Sequence, residues 1–298
     1  MIAVFAGMLI ASVGVAAEYA ADEIVAFKTP EKGKPLSLHI YKPKARTSDT
    51  LPCIVFFFGG GWRGGSPRQF FQQADYFRRR GIVAVSAEYR TKSSHGVRPQ
   101  ECVADAKLAI RWVRKNAEQL GVDPDRIIAA GGSAGGHVAA CTGVIEGFED
   151  PNDDLTVNSR PNAMVLFNPV LDTTDKGYGA KAVGPNKTEI SPCHHVKAGI
   201  PPTLIFHGDQ DKTVPHENAV RFTRLMTEAG NTCRLITFEG RDHSFFNGSF
   251  FRRNKKDDDY ARTMNEADRW LTKLGLLDGT PLPLDEAVFK SAGSNISK

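Results

Sequence analysis

A chain of 298 residues that is 41% hydrophobic and 24% charged, with 28 glycines and 17 prolines, can bury a sizeable core, which excludes disordered and collagen-like classes. Its 38 basic and 34 acidic residues leave a formal charge of +4, too even a balance for the electrostatic footprint of a nucleic-acid binder. Cys53, Cys102, Cys141, Cys193 and Cys233 lie far apart, with no C-x-x-C pair and no His/Cys cluster, so no structural metal is expected and the thiols read as small buried apolar groups.

Residues 1–17 form an uncharged apolar run ending in Val15-x-Ala17, just before Glu18. At 17 residues the run is short of the ~20 needed to span a bilayer, and it has the core and small-residue exit of a secretory signal peptide, although no basic residues precede it. Export to the periplasm or the medium is therefore expected, with a single domain over 18–280, a tail over 281–298 and no stable membrane span. Stretches at 24–28 and 36–41 flank Gly33 as an antiparallel lead-in hairpin would. Six short apolar or β-branched stretches follow, at 53–58, 82–86, 126–130, 163–167, 203–207 and 234–238, and they resemble buried parallel strands.

Helical patterns lie between and after them, at 70–80, 134–145, 217–229 (stopped by Gly230) and 260–274. The clearest starts at Pro99, with Val103, Ala106, Ile110 and Val113 spaced three or four apart on one buried face. The alternation predicts an α/β fold, a mostly parallel sheet with helices on both faces. Two stretches, 148–161 and 244–259, fit the alternation poorly and are expected to be loops over an active site. The charged run at 252–259 within the second reads as a solvated face.

Gly131-Gly132-Ser133-Ala134-Gly135 matches G-x-S-x-G between a predicted strand and a predicted helix. A sharp turn there strains the serine backbone and needs small neighbours on both sides, so Ser133 is the expected nucleophile. A serine hydroxyl needs a base, and the base an orienting carboxylate, following it in the order Ser, acid, His. His243 comes just after the last predicted strand, where a loop reaches the carboxyl ends of the strands. His137, four residues after the serine, is expected to be structural. His194 and His195 precede a strand and are expected at the wrong edge, and His207 ends a strand as a packing or loop-anchoring residue. The segment from His207 to Pro215 offers Asp209 and Asp211. Either could reach the histidine; Asp209, next to the Gly208 turn, suits local backbone bonding, which favours Asp211 as the acid. Phe58-Gly59-Gly60-Gly61-Trp62 leaves a strand at the same edge, and the backbone N–H groups of Gly60, Gly61 and Ala134 are the expected oxyanion donors. No Lys-Ser/Thr follows that loop, which excludes a phosphate cradle.

Together these segments resemble an α/β-hydrolase of the esterase/lipase branch, similar to hormone-sensitive lipase and to bacterial feruloyl and acetyl-xylan esterases. Glu88-Tyr89-Arg90, Asp123-Pro124-Asp125-Arg126 and His207-Gly208-x-x-Asp211-x-x-Val214-Pro215 carry the likeness beyond the elbow, which covers most of 30–275. The resemblance places the acid on Asp211. It implies a carboxylic-ester hydrolase with no metal and no organic cofactor, whose partner is a small-molecule or polysaccharide-linked ester. In that branch the oxyanion loop commonly begins with histidine; here Phe58 stands in its place, and apolar packing is expected to brace the loop instead. An exported esterase without a long apolar lid suits acetyl or feruloyl groups on soluble polysaccharides. Two alternatives share the fold: a serine peptidase of prolyl-oligopeptidase type, which usually carries an added β-propeller, and a catalytically retired binding protein, which a missing triad member would favour.

Overall fold

The structure is a computed structural model that describes residues 19–45, 48–252 and 258–283. The leader-like run at 1–17, the tail beyond 283 and residues 253–257 of the charged run lie outside the described residues. Eight strands form one sheet: β1 (Glu23–Lys28), β2 (Leu36–Tyr41), β3 (Leu51–Phe57), β4 (Val83–Ala87), β5 (Val122–Gly132), β6 (Ala163–Phe167), β7 (Thr203–Gly208) and β8 (Cys233–Phe238). Their order is β1-β2-β4-β3-β5-β6-β7-β8. The lead-in strands pair antiparallel, β1 with β2 and β2 with β4, and every pairing from β4 through β8 is parallel. This is the mostly parallel α/β sheet expected from the alternation, in the α/β-hydrolase arrangement that the resemblance implies.

Alternate residues of each core strand feed opposite layers, the period-2 rule of a pleated strand. On β3, Cys53, Val55 and Phe57 join one core, with Ile54 and Phe56 in the other. Helices α2 (Pro99–Lys115), α3 (Ala134–Val144) and α4 (His216–Glu228) cover the first face. Helices α1 (Phe71–Arg79) and α5 (Asp258–Lys273) cover the second. Burying one Val, Ile or Phe side chain contributes about 1.5–3 kcal/mol, so the two covered faces are the main source of stability.

From β3 the chain crosses to β4 on one side and then to β5 on the other, so the carboxyl ends of β3 and β5 open onto a topological switch point, where ligands bind in such sheets. Of the two irregular stretches, only the one after β8 belongs to that edge. The segment 148–161 does not lie over the active site: Glu149 and Asp153 pair with Lys107 and Arg111 on α2, and Arg114 takes the Asn158 carbonyl. Its acidic residues answer a basic helix face, a tertiary pairing that local irregularity does not reveal.

Candidate active site

β5 runs to Gly132, and Ser133 takes φ 56° and ψ −121° before α3 begins at Ala134. Strain of that kind costs on the order of 1–3 kcal/mol and persists only where the surroundings enforce it. Here a Cβ on Gly131 would lie 2.4 Å from the Gly135 carbonyl oxygen, and one on Gly135 only 2.0 Å from that of Phe57. The Ser133 N–H donates to the Phe167 carbonyl on the neighbouring strand at 2.9 Å. Close backbone packing thus dictates both glycines of the motif, and the serine side chain stands alone at the strand ends.

The structure brings Ser133, His243 and Asp211 together. His243 Nδ1 lies 2.6 Å from Asp211 Oδ2, and its Nε2 lies 2.8 Å from Ser133 Oγ. A carboxylate only accepts, so Nδ1 carries the proton and Nε2 is free to accept the serine O–H. Oδ1 of Asp211 takes the N–H groups of Thr213 and Val214, each at 2.9 Å. Burial works against its charge, but hydrogen bonds from His207, His243 and the Val214 N–H outweigh that and hold Asp211 well below the usual carboxylate range. Asp209 accepts the Gly240 N–H at 2.7 Å instead, tying the β7 loop to the one carrying His243.

The loop after β3 approaches the serine closely: a Cβ on Gly59 would lie 3.2 Å from Ser133 Cβ. Gly60 and Gly61 have φ of 128° and 61°, and among the described residues nothing accepts their N–H groups. Ala134 opens α3, where first-turn N–H groups have no intrahelical partner. Phe58 is buried and stacks on Tyr89 with ring centroids 4.3 Å apart, while the Tyr89 hydroxyl donates to the Phe58 carbonyl at 2.6 Å.

Three side chains escaped the sequence reading. Gln69 accepts the Gly59 N–H at 2.6 Å and donates to Asn247 Oδ1 at 2.9 Å, linking the glycine loop to the segment after His243. Asn168, buried just past β6 with φ 34°, places its Nδ2 3.3 and 3.4 Å from the two ring nitrogens of His243. Both ring nitrogens already face Asp211 and Ser133, so the amide is a further contact on the imidazole. No motif marks these three residues; the Gln69–Asn247 and Asn168–His243 contacts join positions 178 and 75 residues apart.

The other histidines serve structure. His137 donates from Nε2 to the Ile190 carbonyl at 2.7 Å, and burial lowers its pKa to about 4, so it stays neutral. His207 bonds the Val214 carbonyl at 3.0 Å and also lies 3.2 Å from Asp211 Oδ2, so its loop-anchoring role extends to the carboxylate. The edge expected for His194 needs correction: the Cys193 N–H bonds the Leu171 carbonyl, four residues past β6, so this segment climbs back beside the carboxyl edge before descending to β7. His194 meets Ser191 and Arg221 there. Among the described residues no His/Cys/Asp/Glu cluster could hold a metal ion, and no helix is long and apolar enough to cross a membrane.

The BD-FAE family profile matches residues 38–177 and 179–226, a span that holds Gly60, Gly61, Ser133, Ala134 and Asp211 and stops short of His243. The structure of Thermogutta terrifontis esterase 2 phosphoramylated by tabun is 46% identical, with a TM-score of 0.81 over 87% of this chain and 96% of that one. The same esterase with propionate bound is 44% identical, with a TM-score of 0.81 over 88% and 98%. An acetylxylan esterase of Xylanibacter ruminicola is 25% identical over 253 residues, covering 79% of this chain and 47% of that protein. The chain spans about half the length of the curated relatives it matches. With this fold, and with a profile match across more than half its length, the chain belongs to the BD-FAE family, within the esterase/lipase branch of the α/β-hydrolases.

Proposed function

We propose that the chain is a serine carboxylic-ester hydrolase working through an acyl-enzyme on Ser133. One observation carries this reading: a strained serine whose Oγ, at 2.8 Å, faces the acceptor nitrogen of a histidine anchored at 2.6 Å by a buried carboxylate. Oγ attacks the ester carbonyl carbon as His243 Nε2 takes its proton, and Asp211 stabilises the imidazolium that forms. The oxygen of the tetrahedral intermediate gathers charge beside the N–H groups of Gly60, Gly61 and Ala134, fixed before the reaction begins. His243 then gives the proton to the leaving alcohol, and a water molecule repeats the sequence in reverse to release the acid. The Asn168 amide adds a further contact to the ring between its two partners.

Short-chain or carbohydrate-linked esters of acetyl or feruloyl type are the substrates proposed; the propionate bound by the Thermogutta esterase and the name of the Xylanibacter relative support the short-acyl end of that range. Tabun modifies the same esterase, which suggests the test. Treatment with paraoxon, followed by peptide mass spectrometry, is expected to place a diethylphosphoryl group on Ser133. Turnover of acetyl and butyryl p-nitrophenyl esters should disappear in step with labelling. A label on another residue, or cleavage of a peptide amide in preference to every ester, overturns the reading. Export is proposed from residues 1–17 alone: a mature chain beginning near Glu18 in an exported fraction supports it, and an intact Met1 on a cytosolic protein overturns it.

A further inference from the structure

We propose that a basic pocket beside the oxyanion loop binds an anionic group carried by the substrate, so that the preferred esters bear a carboxylate or sulfate. The proposal rests on the esterase reading and extends it to substrate class. A cavity of about 250 Å³ opens at the carboxyl edge of the sheet, and its walls include Gly61, Arg63, Lys92, Arg98 and Lys181, with no acidic side chain in the lining. Gly61 belongs to both structures: its N–H is an oxyanion donor, and its backbone forms one wall of the pocket.

The walls come from three segments that are fastened to one another. The Lys92 N–H donates to the Trp62 carbonyl at 2.9 Å and the Ser93 N–H to that of Arg63 at 2.8 Å. The Arg98 guanidinium takes the Val183 carbonyl, drawing in the third wall. That partner is a neutral carbonyl, and among the described residues the Arg98 guanidinium forms no ion pair. Among the described residues, Arg63, Lys92 and Lys181 form no ion pair.

Several basic residues elsewhere are matched to carboxylates: Arg80 with Asp268, Arg90 with Asp105, Lys107 with Glu149 and Arg111 with Asp153. Four cations line the pocket, the Glu101 carboxylate nearby being turned to the Arg98 backbone N–H at 3.0 Å, and a cleft lined by one sign of charge concentrates ions of the other. The pocket shares Gly61 with the oxyanion loop, so an anion held there would lie against the same loop as the ester carbonyl. Arginine and lysine both accept carboxylate and sulfate oxygens, so the pocket selects charge before it selects a chemical name.

The test compares two anionic esters with neutral partners of matched leaving group. An acetylated uronic acid against acetylated glucose puts the anion on the alcohol side; mono-p-nitrophenyl succinate against p-nitrophenyl butyrate puts it on the acyl side. At about 20 mM salt, one anionic ester is expected to show a KM about tenfold below its neutral partner, and the advantage should vanish near 500 mM. The arm that responds says which side of the ester faces the pocket. In the combined variant Arg63→Gln, Lys92→Gln, Lys181→Gln, the ratio of anionic to neutral kcat/KM should fall about tenfold, and Lys92→Glu should lower it further. Melting temperatures confirm that these exposed substitutions leave the fold intact.

Turnover of neutral esters with no anionic preference, or equal slowing of both ester types in the variants, overturns the pocket while leaving the esterase reading standing. Failure to cleave any ester overturns the esterase reading. Titration calorimetry with a uronate oligomer then decides the pocket separately: binding that weakens in the triple variant supports it, and binding that is absent or unaltered removes it.

Discussion

The elbow around Ser133 and the glycine loop that faces it both hold left-handed backbone, but they are held by different means. At the elbow, Gly131 and Gly135 lie within two residues of the serine, and backbone contacts with Phe57 and Phe58 leave no room for a side chain. The loop through Gly60 and Gly61 is instead steadied by distant side chains: Tyr89 on the Phe58 carbonyl, and Gln69 on the Gly59 N–H, itself bonded to Asn247 178 residues further on. A turn hemmed in by backbone admits almost no variation. A turn braced by side chains can be retuned by changing those side chains, so nucleophile geometry is fixed by backbone contacts while oxyanion geometry depends on its side-chain supports.

The contrast breaks most sharply at the serine. Ser133→Ala should cost on the order of a million-fold in kcat with an unchanged melting temperature, because the smaller side chain fits the turn. Gly135→Ala should act on the fold, losing more than about 4 kcal/mol in urea denaturation, since its Cβ would meet backbone at 2.0 Å. A stable, active Gly135→Ala protein would show that the elbow is softer than its contacts imply.

Next in size is the carboxylate that orients the histidine. Asp211→Asn should lower kcat by roughly ten-thousand-fold. Asp209→Asn keeps an oxygen for the Gly240 N–H and should cost less than about 1 kcal/mol. The depressed pKa of Asp211 adds a pH signature. Its stabilisation is complete above the ordinary carboxyl value of 3.8 and fades as pH falls toward the lower folded value. The melting temperature of the wild type should therefore drop more steeply below about pH 4 than that of Asp211→Asn. Parallel curves would separate the carboxylate from acid stability.

The loop supports give the smallest effects and sharpen the contrast best. Phe58→Ala should cost about 3–5 kcal/mol of stability and lower kcat by about a hundred- to a thousand-fold, as the stack on Tyr89 is lost and the donors drift. Gln69→Leu, which leaves the Gly59 N–H unpaired, should cost about 1–3 kcal/mol with a fall in kcat and little change in KM. Phe58→His should change kcat modestly. If Phe58→Ala and Gln69→Leu both leave kcat untouched, Gly60 and Gly61 are not the oxyanion donors.

The same contrast explains what the sequence discloses. The elbow, the strand alternation and the Ser, Asp, His order are legible because each leaves a short motif, a repeating burial pattern or a fixed chain order. Gln69, Asn168 and Asn247 act across gaps that no spacing rule spans, and each is an ordinary amide until the sheet assembles. The misplacement of 148–161 has the same origin: its acidic residues mark attachment to Lys107 and Arg111, a pairing invisible without the helix beside it.

The five unpaired thiols open another use of this molecule. Cys53, Cys102, Cys141 and Cys193 are buried and Cys233 is partly so. Burial pushes Cys233 up to about 11 and Cys193 up to about 12, and raises Cys53, Cys102 and Cys141 as well. Alkylating reagents attack the thiolate, so each cysteine reacts only in the moments when its surroundings open. One sulfur sits on β3, one on α2, one on α3, one in the Pro192–His194 turn and one on β8. The chain thus carries five built-in clocks, and the order in which they take up iodoacetamide reads out how the native sheet comes apart, edge strand before centre.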